Sequence, residues 1–299
     1  MANHPSLTTH VDFVLPEHLG VWLSSTKRNE NESPQGVVLL VHGLNLYAPR
    51  MDVLGEWFLS HNYDVLRVSL AGHGDSVNPE LSTGKIDHDR KIAFQSTSAQ
   101  QWLDELEQAV HVARARANQH QVPLVYLGFS LGGLIGTVLQ QRSAEQPSFD
   151  RMILLAPALA MTAWANVLRP LKPFPKVGIP AFTPKKYKAN KTTPIQAYHA
   201  MFALYDELHD SDFSEWNTPT LVLSDVNDEM VPFERLTAFL ETHELDWTLY
   251  PLHQKLGGKR RHFHLMLDPE SVGEPVWKRM TAQVTSFLEN PYPATSQHS

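Results

Sequence analysis

Gly128-Phe129-Ser130-Leu131-Gly132 sets a serine between two glycines, where the apolar run Leu124-Val125-Tyr126-Leu127 meets the small-residue run Gly132-Gly133-Leu134-Ile135-Gly136. The first run reads as a buried strand and the second as the start of a helix. A serine on so sharp a strand-to-helix turn has its hydroxyl lifted clear of the sheet, and glycines on either side keep side chains out of a crowded bend. The helix N-terminus also favours negative charge developing nearby. Ser130 is therefore the candidate nucleophile. The bland alternative is a glycine-rich turn with an incidental serine, and the strand before it and helix after it weigh against that.

A serine nucleophile needs a base, and the base needs an orienting acid. The apolar run Leu221-Val222-Leu223-Ser224 ends in an acidic loop that offers Asp225, Asp228 and Glu229 before Val231-Pro232. Beyond the next strand stand His253, His262 and His264. Residue types alone leave three acids and three histidines open. Val41-His42-Gly43-Leu44 closes another apolar run. A backbone N–H from such a loop, together with that of the residue after the nucleophile, can hold an oxyanion. Leu44 and Leu131 are the candidate donors. The His42 imidazole is expected to pack, because only the backbone is needed there.

The elements that must position these groups alternate in type. Strands are predicted over Val37–His42, Asp64–Leu70, Pro123–Phe129, Phe149–Ala156, Thr220–Ser224 and Asp246–Tyr250. Helices are predicted over Pro49–Asn62, Ala99–Asn118, Leu131–Gln141, Phe233–His243 and Val276–Leu288. Val11–Leu15 and Val21–Ser25 read as a hairpin, and Thr26–Gln35 as a loop. Strands alternating with helices imply parallel pairing, hence an α/β class with a mostly parallel central sheet and helices on both faces. Residues 157–217 interrupt the alternation and hold seven of the prolines, with short helical patches such as Thr193–Leu208. That segment is far too long for a plain connection and is expected to be a cap inserted over the C-terminal edge of the sheet. The expected division is a core of residues 1–156 and 218–299 and a cap of residues 157–217.

Composition narrows the function. The 299 residues are 42% hydrophobic and 19% charged, with a net charge of −7. An acidic chain disfavours nucleic acid as a partner. With no cysteine, disulfides, thiolate metal sites and a cysteine nucleophile are excluded. Met1–His10 does not read as a signal peptide, and no run reaches the ~18 apolar residues of a membrane span. A cytoplasmic protein is expected, and the oligomeric state is not legible. Charge is unevenly spread. Arg151, Arg169, Lys172, Lys176, Lys185, Lys186, Lys188 and Lys191 occupy a stretch without Asp or Glu. Lys255, Lys259, Arg260 and Arg261 form a second basic run. Interleaved Trp164, Leu168, Leu171, Phe174, Ile179 and Phe182 supply apolar surface. One reading is a positive, apolar entrance for anionic esters or a lipid surface. The other is a solvated basic face with the apolar residues packed inward.

These motifs together resemble the α/β-hydrolase superfamily, and within it the monoglyceride lipase and lysophospholipase group. Ala71-Gly72-His73-Gly74-Asp75-Ser76 is a further match. In that family the loop is mainly structural. The resemblance spans about residues 8–156 and 218–290, and leaves the cap unplaced. It implies Asp228 as the acid, because the family pattern strand–H-G-x-x-D-x-x-V-P falls on it, with Asp225 where glycine is usual. It implies His262 as the base, about seven residues ahead of Pro269-Glu270, and leaves His264 as a packed residue of an apolar stretch. It implies a serine carboxylic ester hydrolase, an esterase or lipase of monoacylglycerol or lysophospholipid type, working through an acyl-enzyme without metal or organic cofactor. The alternatives are a peptidase or amidase with the same triad, and a non-catalytic ligand-binding member of the fold.

Overall fold

Gly36–Val41 carries no polar side chain, and it folds into a strand buried along its whole length. The structure is a computed structural model that describes residues 15–16, 18–23, 33–74, 84–143, 147–181, 183–254 and 262–290. In chain order its main elements are β1 (Gly20–Leu23), β2 (Gly36–Val41), α1 (Asp52–Ser60), β3 (Tyr63–Val68), α2 (Gly84–Ser96), α3 (Ala99–His120), β4 (Leu124–Phe129), α4 (Leu131–Arg142) and β5 (Arg151–Leu155). There follow β6 (Gly178–Pro180), β7 (Thr192–Pro194), α5 (Ile195–His209), β8 (Thr220–Asp225), α6 (Phe233–Thr242), β9 (Thr248–Leu252), α7 (Pro269–Val272) and α8 (Glu274–Glu289).

Seven strands form one sheet in the order β1-β3-β2-β4-β5-β8-β9. All neighbours are parallel except β1, which runs antiparallel to β3. Alternation along the strands feeds two cores. Val37, Leu39 and Val41 face a cluster with Trp102 and Leu106 of α3, Leu134 of α4 and Phe239 of α6. Val38 and Leu40 face the other, with Leu54 and Phe58 of α1 and Met280 of α8. This is the doubly covered, mostly parallel sheet expected from the sequence. From β2 the chain winds one way to β3, and from β4 the other way to β5, β8 and β9. Ligands bind at such a switch point, beyond the C-terminal strand ends.

Of the expected hairpin, the second arm is β1, while residues 11–14 and 24–25 lie outside the described residues, as do residues 26–32 of the expected loop. The predicted helix at Pro49–Asn62 is a 3₁₀ turn, Ala48–Met51, running into α1. The β9 strand begins two residues later than predicted. Helix α2 was not predicted: its sequence, rich in charge, has no apolar stripe, and Phe94 is the most deeply buried of its described side chains. Between β5 and β8 the insertion holds a 3₁₀ segment, Ala163–Leu171, the antiparallel pair β6 and β7, and α5.

One contact fixes the switch point. A Cβ at Gly132 would stand 2.2 Å from the Val41 carbonyl oxygen and 2.9 Å from that of His42. A Cβ at Gly128 would stand 2.5 Å from the Gly132 carbonyl. The ends of β2 and β4 and the start of α4 thus touch backbone to backbone, and no side chain fits between them. Gly132→Ala is expected to cost about 3 kcal/mol or more, at the upper end of overpacking, read as a lowered urea midpoint with an unchanged slope.

Candidate active site

Ser130 sits between β4 and α4 with φ 52° and ψ −110°. A serine in this region is strained by about 1–3 kcal/mol, and its surroundings hold it there. Its N–H donates to the Leu155 carbonyl at 2.9 Å, and its carbonyl accepts from Leu134 at 3.1 Å and Ala158 at 3.0 Å. The glycines flanking it admit the bend, as their spacing predicts.

Asp228 lies in the turn after β8. Its Oδ1 accepts from the N–H groups of Met230 and Val231, both at 2.8 Å. Its carboxylate reaches one imidazole, that of His264, with Nδ1 2.8 Å from Oδ2 and 3.0 Å from Oδ1. His264 Nε2 lies 2.9 Å from Ser130 Oγ. An ionised carboxylate only accepts. Nδ1 therefore carries the proton towards Asp228, and Nε2 is left to accept from the serine hydroxyl. Asp225, the competing acid, is fully buried and does something else: it accepts from Asn227 and Gln254 N–H groups and ties the ends of β8 and β9 together.

The expected histidine is corrected by this geometry. The structure brings Ser130 and Asp228 together with His264, and His262 stands apart. The His262 side chain is 48% exposed and its Nδ1 is 3.7 Å from Glu229 Oε1, whereas the His264 side chain is 16% exposed. The physical reason lies on both sides of His264. Glu229 Oε2 accepts from the N–H groups of Phe263 at 3.0 Å and His264 at 3.2 Å, which turns the ring inward. Leu265, Met266 and Leu267 are buried, and Asp268 caps α7. The apolar stretch that suggested a packed histidine is the anchor that presents it. That anchor was the available sequence signal, since a base must be held rigidly. His253 lies at the far end of β9, where its carbonyl accepts from Arg279 Nη2 at 3.4 Å.

The candidate oxyanion donors flank the serine. Leu131 is the first residue of α4, where N–H groups have no partner within the helix. Leu44 follows Gly43, whose carbonyl accepts from Leu46, and it lines the same pocket as Ser130. His42 is fully buried: Nδ1 donates to the Gly43 carbonyl at 2.9 Å, and Nε2 accepts from Leu70 N–H at 3.0 Å. Burial lowers its pKa to about 4, so it shapes the loop as a neutral ring.

Above the serine lies a pocket of about 970 Å³ including its mouth, walled from the insertion by Met161, Ala165, Leu168, Tyr198 and Met201. The expected positive entrance is only partly described. Arg151 caps the C-terminus of α8, Arg169 pairs with Asp206, and Lys186 with Glu270. Lys255, Lys259, Arg260, Arg261 and Phe182 lie outside the described residues, as do Asp75 and Ser76 of the structural loop. Among the described residues lining the pocket, Glu229 is the charged acid and none is Lys or Arg. Among the described residues, no cluster of three His, Asp or Glu is arranged to hold a metal ion.

A family model described as serine aminopeptidase, S33, matches residues 32–250. Among curated proteins, none matches the sequence significantly. A soluble variant of monoglyceride lipase from Saccharomyces cerevisiae, solved with a substrate analog, superposes with a TM-score of 0.66 at 15% identity, over 92% of this chain and 96% of that one. A structure from the pair of metagenome-derived lipolytic enzymes LipS and LipT gives 0.64 at 18% identity, over 92% and 98%. A monoacylglycerol lipase of Paleococcus ferrophilus gives 0.60 at 18%, over 85% and 96%. At these identities the likeness is one of fold, the α/β-hydrolase fold.

Burial pulls the His264 pKa down, but the Asp228 charge and hydrogen bond and the Glu229 charge outweigh it, and the net shift is upward. A raised pKa keeps the ring protonated, and unable to accept from Ser130, to higher pH. Any activity of this site should rise with pH through a midpoint above the ordinary ~6.5. Glu229→Gln keeps an acceptor and removes a charge, so its kcat/KM profile is expected to rise at lower pH than that of the wild type. An unmoved profile would show that the Glu229 charge does not reach the base.

Proposed function

Since the chain belongs to the serine aminopeptidase S33 family, we propose that it is a serine carboxylic ester hydrolase whose triad is Ser130, His264 and Asp228. The observation that carries this reading is the hydrogen-bonded chain from Asp228 through His264 to Ser130 at the floor of an apolar pocket. Ser130 Oγ attacks the ester carbonyl carbon while His264 Nε2 takes the hydroxyl proton, and Asp228 stabilises the imidazolium. The N–H groups of Leu44 and Leu131 hold the oxyanion. The tetrahedral adduct collapses, the C–O bond breaks, and His264 returns its proton to the departing alcohol. Water, deprotonated by His264, then attacks the acyl-enzyme, and the acid leaves as Ser130 is regenerated. No metal or cofactor enters these steps.

The substrate follows from the pocket. Met161, Ala165, Leu168 and Met201 suit an acyl chain. Glu229 beside the base disfavours an anionic ester, so a neutral one of monoacylglycerol type fits best. The monoglyceride and monoacylglycerol lipases of similar fold lend this support. Insertion residues 157–217 act as a cap in this reading. Val167, Phe174 and Val177 stand 71%, 59% and 49% exposed on it and suit peripheral contact with lipid. Among the described residues no helix is long and apolar enough to cross a membrane. A peptidase is the second reading, favoured by the family's description and by Glu229, a carboxylate able to hold a free α-ammonium.

Ser130→Ala and His264→Ala are each expected to lower kcat by on the order of 10⁶-fold, and the double variant to be little worse, because the groups act as a unit. His262→Ala is expected to keep most activity, and a dead His262→Ala variant would return the base to that position. Across neutral esters, kcat/KM should rise by up to about fourfold per added methylene until the pocket fills, at ~0.8 kcal/mol per CH₂. An amino-acid amide turned over faster than every ester would decide for the peptidase.

A further inference from the structure

Asn45 follows the candidate oxyanion donor Leu44 and is 2% exposed. Its φ of 54° lies in the left-handed region, where glycine sits freely and other residues are uncommon. Asparagine is one of the few other residues that adopt this region readily, and here its buried side chain is also fully engaged in hydrogen bonds. Asn45 Nδ2 donates to the Asn190 carbonyl at 3.1 Å and to Thr193 Oγ1 at 2.9 Å. Its Oδ1 accepts from the Asn190 N–H at 2.8 Å and from Asn190 Nδ2 at 3.2 Å. The backbone joins in alongside. The Asn45 carbonyl accepts from Ala189 and Tyr47 N–H donates to the Tyr187 carbonyl, at 2.9 and 2.8 Å, while Leu46 bridges Lys188. Asn190 reaches further still: Nδ2 donates to the Gly72 carbonyl at 2.8 Å, and Oδ1 accepts from Arg90 Nε of α2 at 3.1 Å.

The insertion thus grips the Gly43–Tyr47 loop through two interlocked amides, one residue from a group that would bind the oxyanion. Building on the hydrolase reading above, we propose that Asn45 is a positioning residue for the oxyanion hole, with Asn190 as its partner, and that this clasp holds the Leu44 N–H in line with that of Leu131. Leu131 needs no such help, since it is fixed by α4 and the glycine contact beneath it. Leu44 lies on a loop, and a hydrogen-bond donor stabilises an oxyanion only when already aimed at it. Because that bond strengthens as the carbonyl becomes tetrahedral, its loss falls on kcat and not on KM.

The test compares wild type with Asn45→Gly, Asn190→Ala and the double variant. Asn45→Gly keeps the left-handed backbone and removes all four side-chain bonds of Asn45; Asn190→Ala removes only the Nδ2 bond to Asn45 Oδ1 and the ties to Gly72 and Arg90, leaving the bonds of Asn45 to the Asn190 backbone and to Thr193 in place. Readouts are kcat and KM on a short neutral ester, affinity for a boronic acid that forms a tetrahedral adduct on Ser130, and thermal midpoint. Asn45→Gly is expected to lose about 10- to 100-fold in kcat and Asn190→Ala less, each with KM within about twofold. Boronate affinity should fall in parallel, and the double variant should be no worse than Asn45→Gly. A shift in thermal midpoint alone, or a rise in KM at unchanged kcat, makes the clasp a support for the insertion and overturns the proposal. Fluorophosphonate labelling of wild-type Ser130 separates the two levels. Without labelling or turnover the hydrolase reading falls and takes the clasp with it; with both present and the variants unaffected, the clasp alone falls.

Discussion

The absence of a side chain at Gly132 is the constraint on which the rest of this site depends. With the Val41 carbonyl oxygen where a Cβ would need to be, α4 starts in direct contact with the end of β2. That single approach sets the distance between the loop after β2 and the turn that carries Ser130. It also sets the start of α4, whose first N–H groups have no partner within the helix, beside that loop. Any larger residue would separate the two halves of the proposed oxyanion hole before affecting the serine itself. Tyr126 reinforces the contact from below, its hydroxyl donating to the Gly132 carbonyl at 2.5 Å.

The other half of the site is held by carboxylates. Asp225, Asp228 and Glu229 stand within one turn and bind three different targets: the end of β9, the His264 ring, and the backbone that carries that ring. A histidine on a free loop, as the proposed base would otherwise be, has too much freedom to stay at hydrogen-bond distance from a serine. Here the loop is clamped on one side by Glu229 and on the other by the buried Leu265–Leu267 run. The same charges that fix the ring also stabilise its protonated form, so position and proton affinity come from one set of groups.

The sheet was legible because buried parallel strands are continuous apolar runs, and the serine because its glycines answer a steric need that is local in sequence. Asp228 was singled out only by the resemblance to the family pattern that ends in Val231-Pro232; residue types alone left three acids open. His264 was not: two histidines in one short loop differ only in what their backbone is tied to, and the tie, Glu229, is more than thirty residues away. Composition gave no hint of α2, whose described side chains tie in through Phe94 and Arg90 and not through an apolar stripe. Nor could the sequence foretell that Asn45 and Asn190, 145 residues apart, share three hydrogen bonds, with a fourth from Asn45 to Thr193; none follows a local rule.

Tyr187 adds a last tie. Its hydroxyl donates to the Asp268 carboxylate, which also caps α7 just beyond the His264 loop. The stretch from Pro184 to Thr193 is thereby anchored both to the loop after β2 and to the segment that follows the base. For anyone redesigning the enzyme, the insertion divides into two parts of unequal freedom. Residues 161–177 form pocket wall and outer surface and are the part to exchange for those of a relative, whereas residues 178–181 pair with residues 191–194. Residues 184–193 belong mechanically to the core, and a graft that replaces them must bring its own means of holding the two loops.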